Sequence, residues 1–393
     1  MRIIDAEILT CAAGTRYWSY LRLRTDDGVT GWAEFTDGML SAHGMAGVVR
    51  RLASFVIGED PTAWRRIEQL LRSRTREAED GLNRRAVGTV VNACLEIAAR
   101  ARSLSVAQLL GGPVREEFPL YWSHCGLGRI RLAQAGLAEP VRTLDDVRAM
   151  GADVARAGFR ALKTNLMVIE EEGARLHLSS WGGPGWPELE PDPRVVSQVC
   201  DVLDALGDGA GPGVELFIDV NHNVKGEGIS RLAERFGRHG LDWFEVDSDE
   251  VAPLARARNR SGPRIASGET LTGLRAFRRL FEAGAVDVPI VDVAWNGLPE
   301  ALRIAELAHN YDLNVVPHNY GSHLLTHMSA QFAALLPNVA IFEIDVEGVP
   351  WRDDVIPPPL VVDGRLRLPE GPGWGVEVDE EALRAHPVEV GSR

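Results

Sequence analysis

The chain has 393 residues, of which 45% are hydrophobic and 25% charged, with a formal net charge of −14. That balance argues against nucleic-acid binding by bulk electrostatics, and no apolar run approaches the roughly 18 residues a membrane helix needs. Four scattered cysteines (Cys11, Cys94, Cys125, Cys200) with no Cys-x-x-Cys read as buried thiols rather than a disulfide frame or a zinc site.

The first residues, Met-Arg-Ile-Ile-Asp-Ala-Glu, contain no apolar signal core, so a cytoplasmic protein is expected. Alternating apolar and polar residues in Arg2-Ile3-Ile4-Asp5-Ala6-Glu7-Ile8 and Tyr20-Leu21-Arg22-Leu23-Arg24-Thr25, with Asp26-Asp27-Gly28 as a turn before Val29, predict a small antiparallel sheet. From about 45 to 110 the apolar spacing lengthens to three and four, which predicts helices ended by Leu110-Gly111-Gly112-Pro113. Residues 1–115 are therefore assigned to an N-terminal α+β unit.

A barrel of alternating strands and helices is expected over residues 116–345, beginning with Pro119-Leu120-Tyr121-Trp122-Ser123. Thr143 and Asp146 form a capping pair for the helix that leads into Phe159-Arg160-Ala161-Leu162-Lys163. Only two of the 42 Lys+Arg residues are lysine, at 163 and 225, so a lysine at a strand end points to a compact amine that can lose its proton. Residues 169–193 are an inserted loop, read as a specificity element or an oligomer contact. The tail, 346–393, contains a hairpin at Val361-Val362-Asp363-Gly364-Arg365, expected to return to the N-terminal sheet.

The barrel's beat carries the functional signal. Asp219, Glu245 and Glu269 each close a short apolar run, at steps of 26 and 24 residues; Asp292, His318 and Glu343 follow at 23, 26 and 25. In a parallel barrel the carboxyl ends of the strands open on one face, so these groups are expected to converge on one pocket. Asp247 and Asp249 read as a solvated acidic loop, with auxiliary hydrogen bonding to a ligand as the alternative. Strand alternation turns Lys163 and Asn165 inward together, keeps Asn221 on the side of Asp219, and turns His222 away unless the loop bends.

Gly31-Trp32-Ala33-Glu34, Leu110-Gly111-Gly112-Pro113, Ala161-Leu162-Lys163-Thr164-Asn165, Asp219-Val220-Asn221, Glu245, Ala266-Ser267-Gly268-Glu269, Asp292-Val293-Ala294-Trp295-Asn296-Gly297, Pro317-His318-Asn319 and the run from Pro369 to Glu377 resemble, in order, the enolase superfamily in its mandelate racemase and acid-sugar dehydratase branch. The resemblance implies an α/β fold, a modified TIM (β/α)8 barrel under an α+β N-terminal capping domain completed by the C-terminal segment. It also implies one Mg²⁺ per chain and a homo-oligomer. Asp219, Glu245 and Glu269 are the metal ligands in this reading, an all-oxygen set that suits Mg²⁺ better than zinc.

The chemistry expected is removal of the proton next to a carboxylate, through an enediolate stabilised by the metal; such a site pairs Mg²⁺ with a Lys or His base, as is known for this superfamily. His318 is the expected base, with Asp292 behind the imidazole. By the resemblance, Lys163 contacts the substrate carboxylate, Glu343 stabilises the intermediate and Asn165 binds a hydroxyl. Racemases of the branch carry a second Lys where this chain has Asn165. Asparagine cannot exchange a proton, which favours dehydration of a sugar acid, an aldonate or aldarate, to a 2-keto-3-deoxy product. The acid for the departing hydroxyl is His318 itself or His222. Asn221 and Asn319 complete the substrate-binding candidates, with helix capping as the other account of Asn319. Loops at Arg16-Tyr17-Trp18 and 37–44 are expected over the mouth.

A racemase, epimerase or cycloisomerase would use the same scaffold. A Schiff-base aldolase would not need three carboxylates, and a zinc hydrolase would show His-x-His where this chain has Ser123-His124-Cys125. A non-catalytic sugar-acid binder would exchange no substrate proton.

Overall fold

The computed structural model describes residues 1–36, 42–75, 79–177, 189, 192–260 and 262–388. Strands β1 (Ile3–Ala13), β2 (Arg16–Thr25) and β3 (Thr30–Glu34) form an antiparallel sheet in that order. Helices Ala42–Ala53, Trp64–Ser73 and Gly81–Arg100 follow. The last of these is buried along nearly its whole length, because it lies between the sheet and the barrel. Asn92 ties it across: its amide nitrogen donates to the Val293 carbonyl (2.9 Å) and its oxygen accepts from Leu298 N (2.8 Å). Gly88 permits the approach, since a Cβ there would lie 2.6 Å from Gly297 N. Any larger residue at 88 would push the cap off the barrel.

The barrel strands are β4 (Glu117–Ser123), β5 (Ala161–Asn165), β8 (Glu215–Asp219), β9 (Leu241–Glu245), β10 (Arg264–Ser267), β11 (Val288–Val291), β12 (Val316–Pro317) and β13 (Phe342–Asp345). Neighbours pair in parallel from β4 round to β12, and β13 pairs back onto β4 with Glu343 opposite Tyr121. A parallel bridge between Val315 and Val339 closes the remaining gap. Tyr121, Phe217 and Trp243 alternate with small or branched residues (Ala161, Ala266, Val288, Ile290, Val316) to fill the barrel floor, and Phe217 stacks on Trp243 at 4.1 Å. Truncating Trp243 to alanine there would cost about 3–5 kcal/mol. With the floor filled, a site inside the barrel opens at the carboxyl-end mouth.

The helix Leu144–Arg156 carries the expected cap, with Thr143 and Asp146 forming a reciprocal capping box. The inserted region begins as a hairpin of β6 (Met167–Glu170) and β7 (Gly173–Leu176) before the helix Pro193–Ala210. Residues 178–188 of that insertion, and 37–41 of the expected mouth loop, lie outside the described residues.

The tail departs from expectation. β14 (Val361–Val362) and β15 (Arg365–Arg367) form the hairpin, but β15 pairs antiparallel with β4, Leu366 opposite Phe118, and not with the N-terminal sheet. The segment beyond it reaches the cap: Trp374 Nε1 donates to the Trp32 carbonyl (2.8 Å), and Ala12 N donates to the His386 carbonyl (2.8 Å). At the mouth, the buried Glu34 at the end of β3 accepts from Ser322 N (2.9 Å), Ser322 Oγ (2.5 Å) and Leu325 N (3.0 Å), tying the cap to the helix that follows β12.

Candidate active site

The strand ends converge. Asp219 and Glu245 close β8 and β9, and Glu269 stands two residues past β10. Gly268 makes that last placement possible: it adopts φ +117°, and a Cβ would lie 2.9 Å from Phe277 Cε1. One oxygen from each of the three buried carboxylates lies within 4.8 Å of the others.

Electrostatics say what such a cluster lacks. Burial raises the Glu245 carboxyl well above its ordinary value, Lys163 opposes that, and Asp219 and Glu269 add to it. Burial and then the nearby Asp247 raise Glu269, against His318. Glu245 Oε1 has no hydrogen-bond partner among the described residues, nor has either oxygen of Asp247. Buried anions in mutual repulsion, with open lone pairs, fit a hard divalent cation, whose charge removes the repulsion and whose coordination occupies the lone pairs. Asn221 aims one ligand: its backbone N and its Nδ2 each donate to an Asp219 oxygen at 2.7 Å, from a left-handed backbone with φ 49°.

Beside the trio stands His318, directly after β12. Its Nδ1 is 2.6 Å from Asp292 Oδ2, and its Nε2 is 3.4 Å from Glu269 Oε2. Asp292 Oδ1 accepts from Trp295 N (2.7 Å), so both its oxygens act as acceptors and the imidazole proton belongs on Nδ1. Asp292 thus caps the short helix Val293–Asn296 and orients the imidazole at once. Burial pulls the imidazolium down, but Glu269 and Asp292 outweigh it and push His318 up to about 10.

Lys163 lies one layer deeper. Its Nζ is 3.0 Å from Glu245 Oε2 and 2.9 Å from Glu343 Oε1. Burial alone would lower the ammonium, yet the two carboxylates raise it well above the ordinary lysine value. These contacts favour the charged amine over the neutral one expected from its position, and Lys163 is not among the residues that line the cavity.

The cavity is bordered by Asn165, Asp219, Asn221, Glu269, His318 and His124, with Leu127, Leu176, Arg131 and Tyr320 on its outer side. Two of the four expected substrate-binding residues are not among those that line it. His222 is half-exposed and turns its Nε2 toward Asp247 (3.5 Å). Asn319 neither lines the cavity nor caps the helix, which Ser322 does; its N and Nδ2 donate to Glu343 Oε2 (2.8 Å) and the Glu343 carbonyl (3.0 Å). Trp18 of the expected mouth loop is buried packing, whereas Arg16 lies over the Tyr320 ring at 3.7 Å and pairs with Asp345 at 2.6 Å.

Three participants were missed from sequence. Asp247 is buried, not solvated. The chain stays extended past β9, Asp247 N donating to the Asn221 carbonyl (3.0 Å), so residues 245 and 247 share a face, and alternation could have signalled it. His124 follows β4 at the mouth, a position that the strand-end rule covers. Tyr320 is set by an irregular loop and has no periodic signal.

Comparison with known proteins agrees with this geometry. The family description "Enolase C-terminal domain-like" matches residues 145–382, and "Mandelate racemase / muconate lactonizing enzyme, N-terminal domain" matches 7–111. Among curated relatives, D-xylonate dehydratase of Haloferax volcanii is 29% identical over 98% of this chain and 90% of its own length. D-galactarolactone cycloisomerase of Agrobacterium fabrum is 28% identical over 92% and 89%. A crystal structure from Burkholderia xenovorans strain LB400, provisionally named an L-alanine-DL-glutamate epimerase and bound to magnesium and fumarate, superposes with TM-score 0.95 at 36% identity, covering 99% of this chain and 97% of that one.

Proposed function

This chain belongs to the mandelate racemase and muconate lactonizing enzyme branch of the enolase superfamily, and from that premise we propose that it is an enzyme that removes the proton next to a substrate carboxylate, dehydrating a sugar acid to its 2-keto-3-deoxy product. One observation carries the choice of dehydration. The imidazole base stands on one wall of the cavity, while Asn165 on β5 presents an amide where a second base would stand.

Asp219, Glu245 and Glu269 would hold a divalent cation, Mg²⁺ by the hardness of the donor set, supplying the positive charge that lets a carboxylate accept a second negative charge. The roles of the chain's own groups follow from their contacts. Asp292 keeps one His318 proton on Nδ1, so the neutral ring offers Nε2 to the C2 proton; Glu269, 3.4 Å from Nε2, favours the charged ring, a pull that would weaken with its charge engaged by the cation. Lys163 holds both carboxylates in place, keeping Glu343 ionised and opposing the burial that raises Glu245. With the proton on Nε2, His318 is itself an acid on the same face, able to return that proton to the departing C3 hydroxyl as water. His222, turned to Asp247, is the weaker candidate. The C2–C3 enol that remains becomes the 2-keto product.

Isomerisation is the second reading, supported by the relatives named cycloisomerase and epimerase. Incubation of the Mg²⁺-loaded protein with a panel of mono- and diacid sugars in D₂O separates the two. A 2-keto product supports dehydration, and deuterium at C2 with no keto product supports isomerisation. Binding with neither outcome overturns both.

A further inference from the structure

Two polar side chains that line the cavity, Asn165 and His124, each carry an acceptor atom that the reaction above does not use. Asn165 directs its Nδ2 at the Asp219 carbonyl (3.3 Å), Asp219 Oδ2 (3.4 Å) and Asn221 Oδ1 (3.2 Å). That orientation leaves the buried Oδ1, which has no hydrogen-bond partner among the described residues.

The other atom belongs to His124. The residue leaves β4 in a left-handed conformation, φ 54°, is 6% exposed, and stacks on Tyr320 at 4.1 Å. Following the donors places its proton. Glu343 accepts at Oε1 from Lys163 (2.9 Å) and Ser123 Oγ (2.5 Å), and at Oε2 from Asn319 N (2.8 Å). A carboxylate with donors on both oxygens has no proton to give, so the one Ser123 proton points at Glu343. Ser123 Oγ, 2.7 Å from His124 Nδ1, must then accept, which puts the imidazole proton on Nδ1 and the lone pair on Nε2. Burial, with Lys163, Arg16 and Arg131, holds the ring neutral against the pull of Glu343.

We propose that His124 Nε2 accepts a hydrogen bond from a second substrate hydroxyl, beside the one expected at Asn165, so that the site takes a polyhydroxy acid and rejects acids that present only acceptors, or no polar group, to this wall. The inference rests on the hydroxy-acid reading and names what recognises the second hydroxyl. Selection works mainly by exclusion: a ligand without the donors leaves a buried acceptor unpaired.

The test is calorimetric binding to the Mg²⁺-loaded full chain of aldonates, n-alkanoates of matched length, and fumarate. With two hydrogen bonds at stake, the tightest aldonate is expected to bind about 100-fold better than its alkanoate. His124→Phe keeps a ring for Tyr320 but no acceptor, and should shrink that preference about tenfold while changing alkanoate and fumarate binding less than about twofold. His124→Gln should restore most of it, and His124→Leu serves if the Phe variant does not fold. The inference is overturned by a parent protein with no aldonate preference, by a preference that survives His124→Phe, or by equal weakening of all three ligands. Aldonate preference with no product or exchange removes the proposed reaction alone. Product formation with a preference unmoved by His124→Phe removes this inference alone.

Discussion

His318 and His124 border the same cavity, at nearly the same depth, and their surroundings drive them in opposite directions. His318 has carboxylates on both ring nitrogens and is pushed up to about 10 against its burial; His124 is held well below the ordinary histidine value by burial, reinforced by Lys163, Arg16 and Arg131 against the pull of Glu343. Burial is common to both, so the neighbouring charges decide. One wall of the barrel is built to take a proton, and the other to remain neutral and accept hydrogen bonds.

The largest effect should come from breaking the basic side. His318→Asn removes the proton acceptor while keeping a polar side chain of moderate size, and product formation with the best sugar acid should fall by about 10³–10⁴-fold. Metal affinity, measured by calorimetry with Mn²⁺, should stay within about threefold, since His318 is not among the three carboxylates. A variant retaining a tenth of the parent rate would mean that another group is the base.

Next is the cation that separates the two walls. Lys163→Met leaves Glu245 and Glu343 buried without their shared partner, and breaking a buried ion pair in this way costs about 3–5 kcal/mol, measurable by urea denaturation. Divalent cation should restore more stability to this variant than to the parent, because a cation bound near Glu245 offsets part of the loss. Unchanged stability in the absence of cation would show that the pair is not held as a charged unit.

Much of this contrast was legible in the chain, for a geometric reason. A strand-and-helix repeat of about 25 residues places each strand's last residue on one face, so Asp219, Glu245, Glu269, Asp292 and His318 could be brought together from spacing alone. Chain continuation past a strand end was read less well: Asp247 shares a face with Glu245, yet was assigned to solvent. Contacts between distant segments leave no local trace. The tail hairpin was visible from Asp363-Gly364, but nothing in its residues says that Leu366 will pair with Phe118. The charge state of Lys163 likewise depends on Glu245 and Glu343, 82 and 180 positions away, which no reading of its own strand could supply.

A third buried imidazole tests the rule away from the metal cluster. Burial and then Arg352 push His323 down to about 3, against the Asp353 carboxylate 2.9 Å from its Nε2, with His327 as a further neighbour. Its folded value lies below the unfolded value of about 6.5, so protons favour the unfolded chain. The contribution of His323 is therefore complete above pH 6.5 and lost as pH falls toward 3. His323→Gln, which cannot titrate, should lose about 2 kcal/mol less than the parent between about pH 7 and pH 4.5 in urea midpoints. Equal acid sensitivity would place the ring's charge elsewhere.

The smallest expected effect is the most specific to the neutral wall. Ser123→Ala removes neither the acceptor of His124 nor any ligand of the trio; it removes only the oxygen that receives the Nδ1 proton and passes its own to Glu343. The ring is then free to place its proton on Nε2, where it would meet a substrate hydroxyl as a second donor. Two tautomers of similar energy halve the competent population, and lost orientation adds to this, so KM should rise about threefold with kcat nearly unchanged. A fall in kcat with KM unmoved would instead assign Ser123 to the Glu343 side of the relay, and the two walls would then be one network.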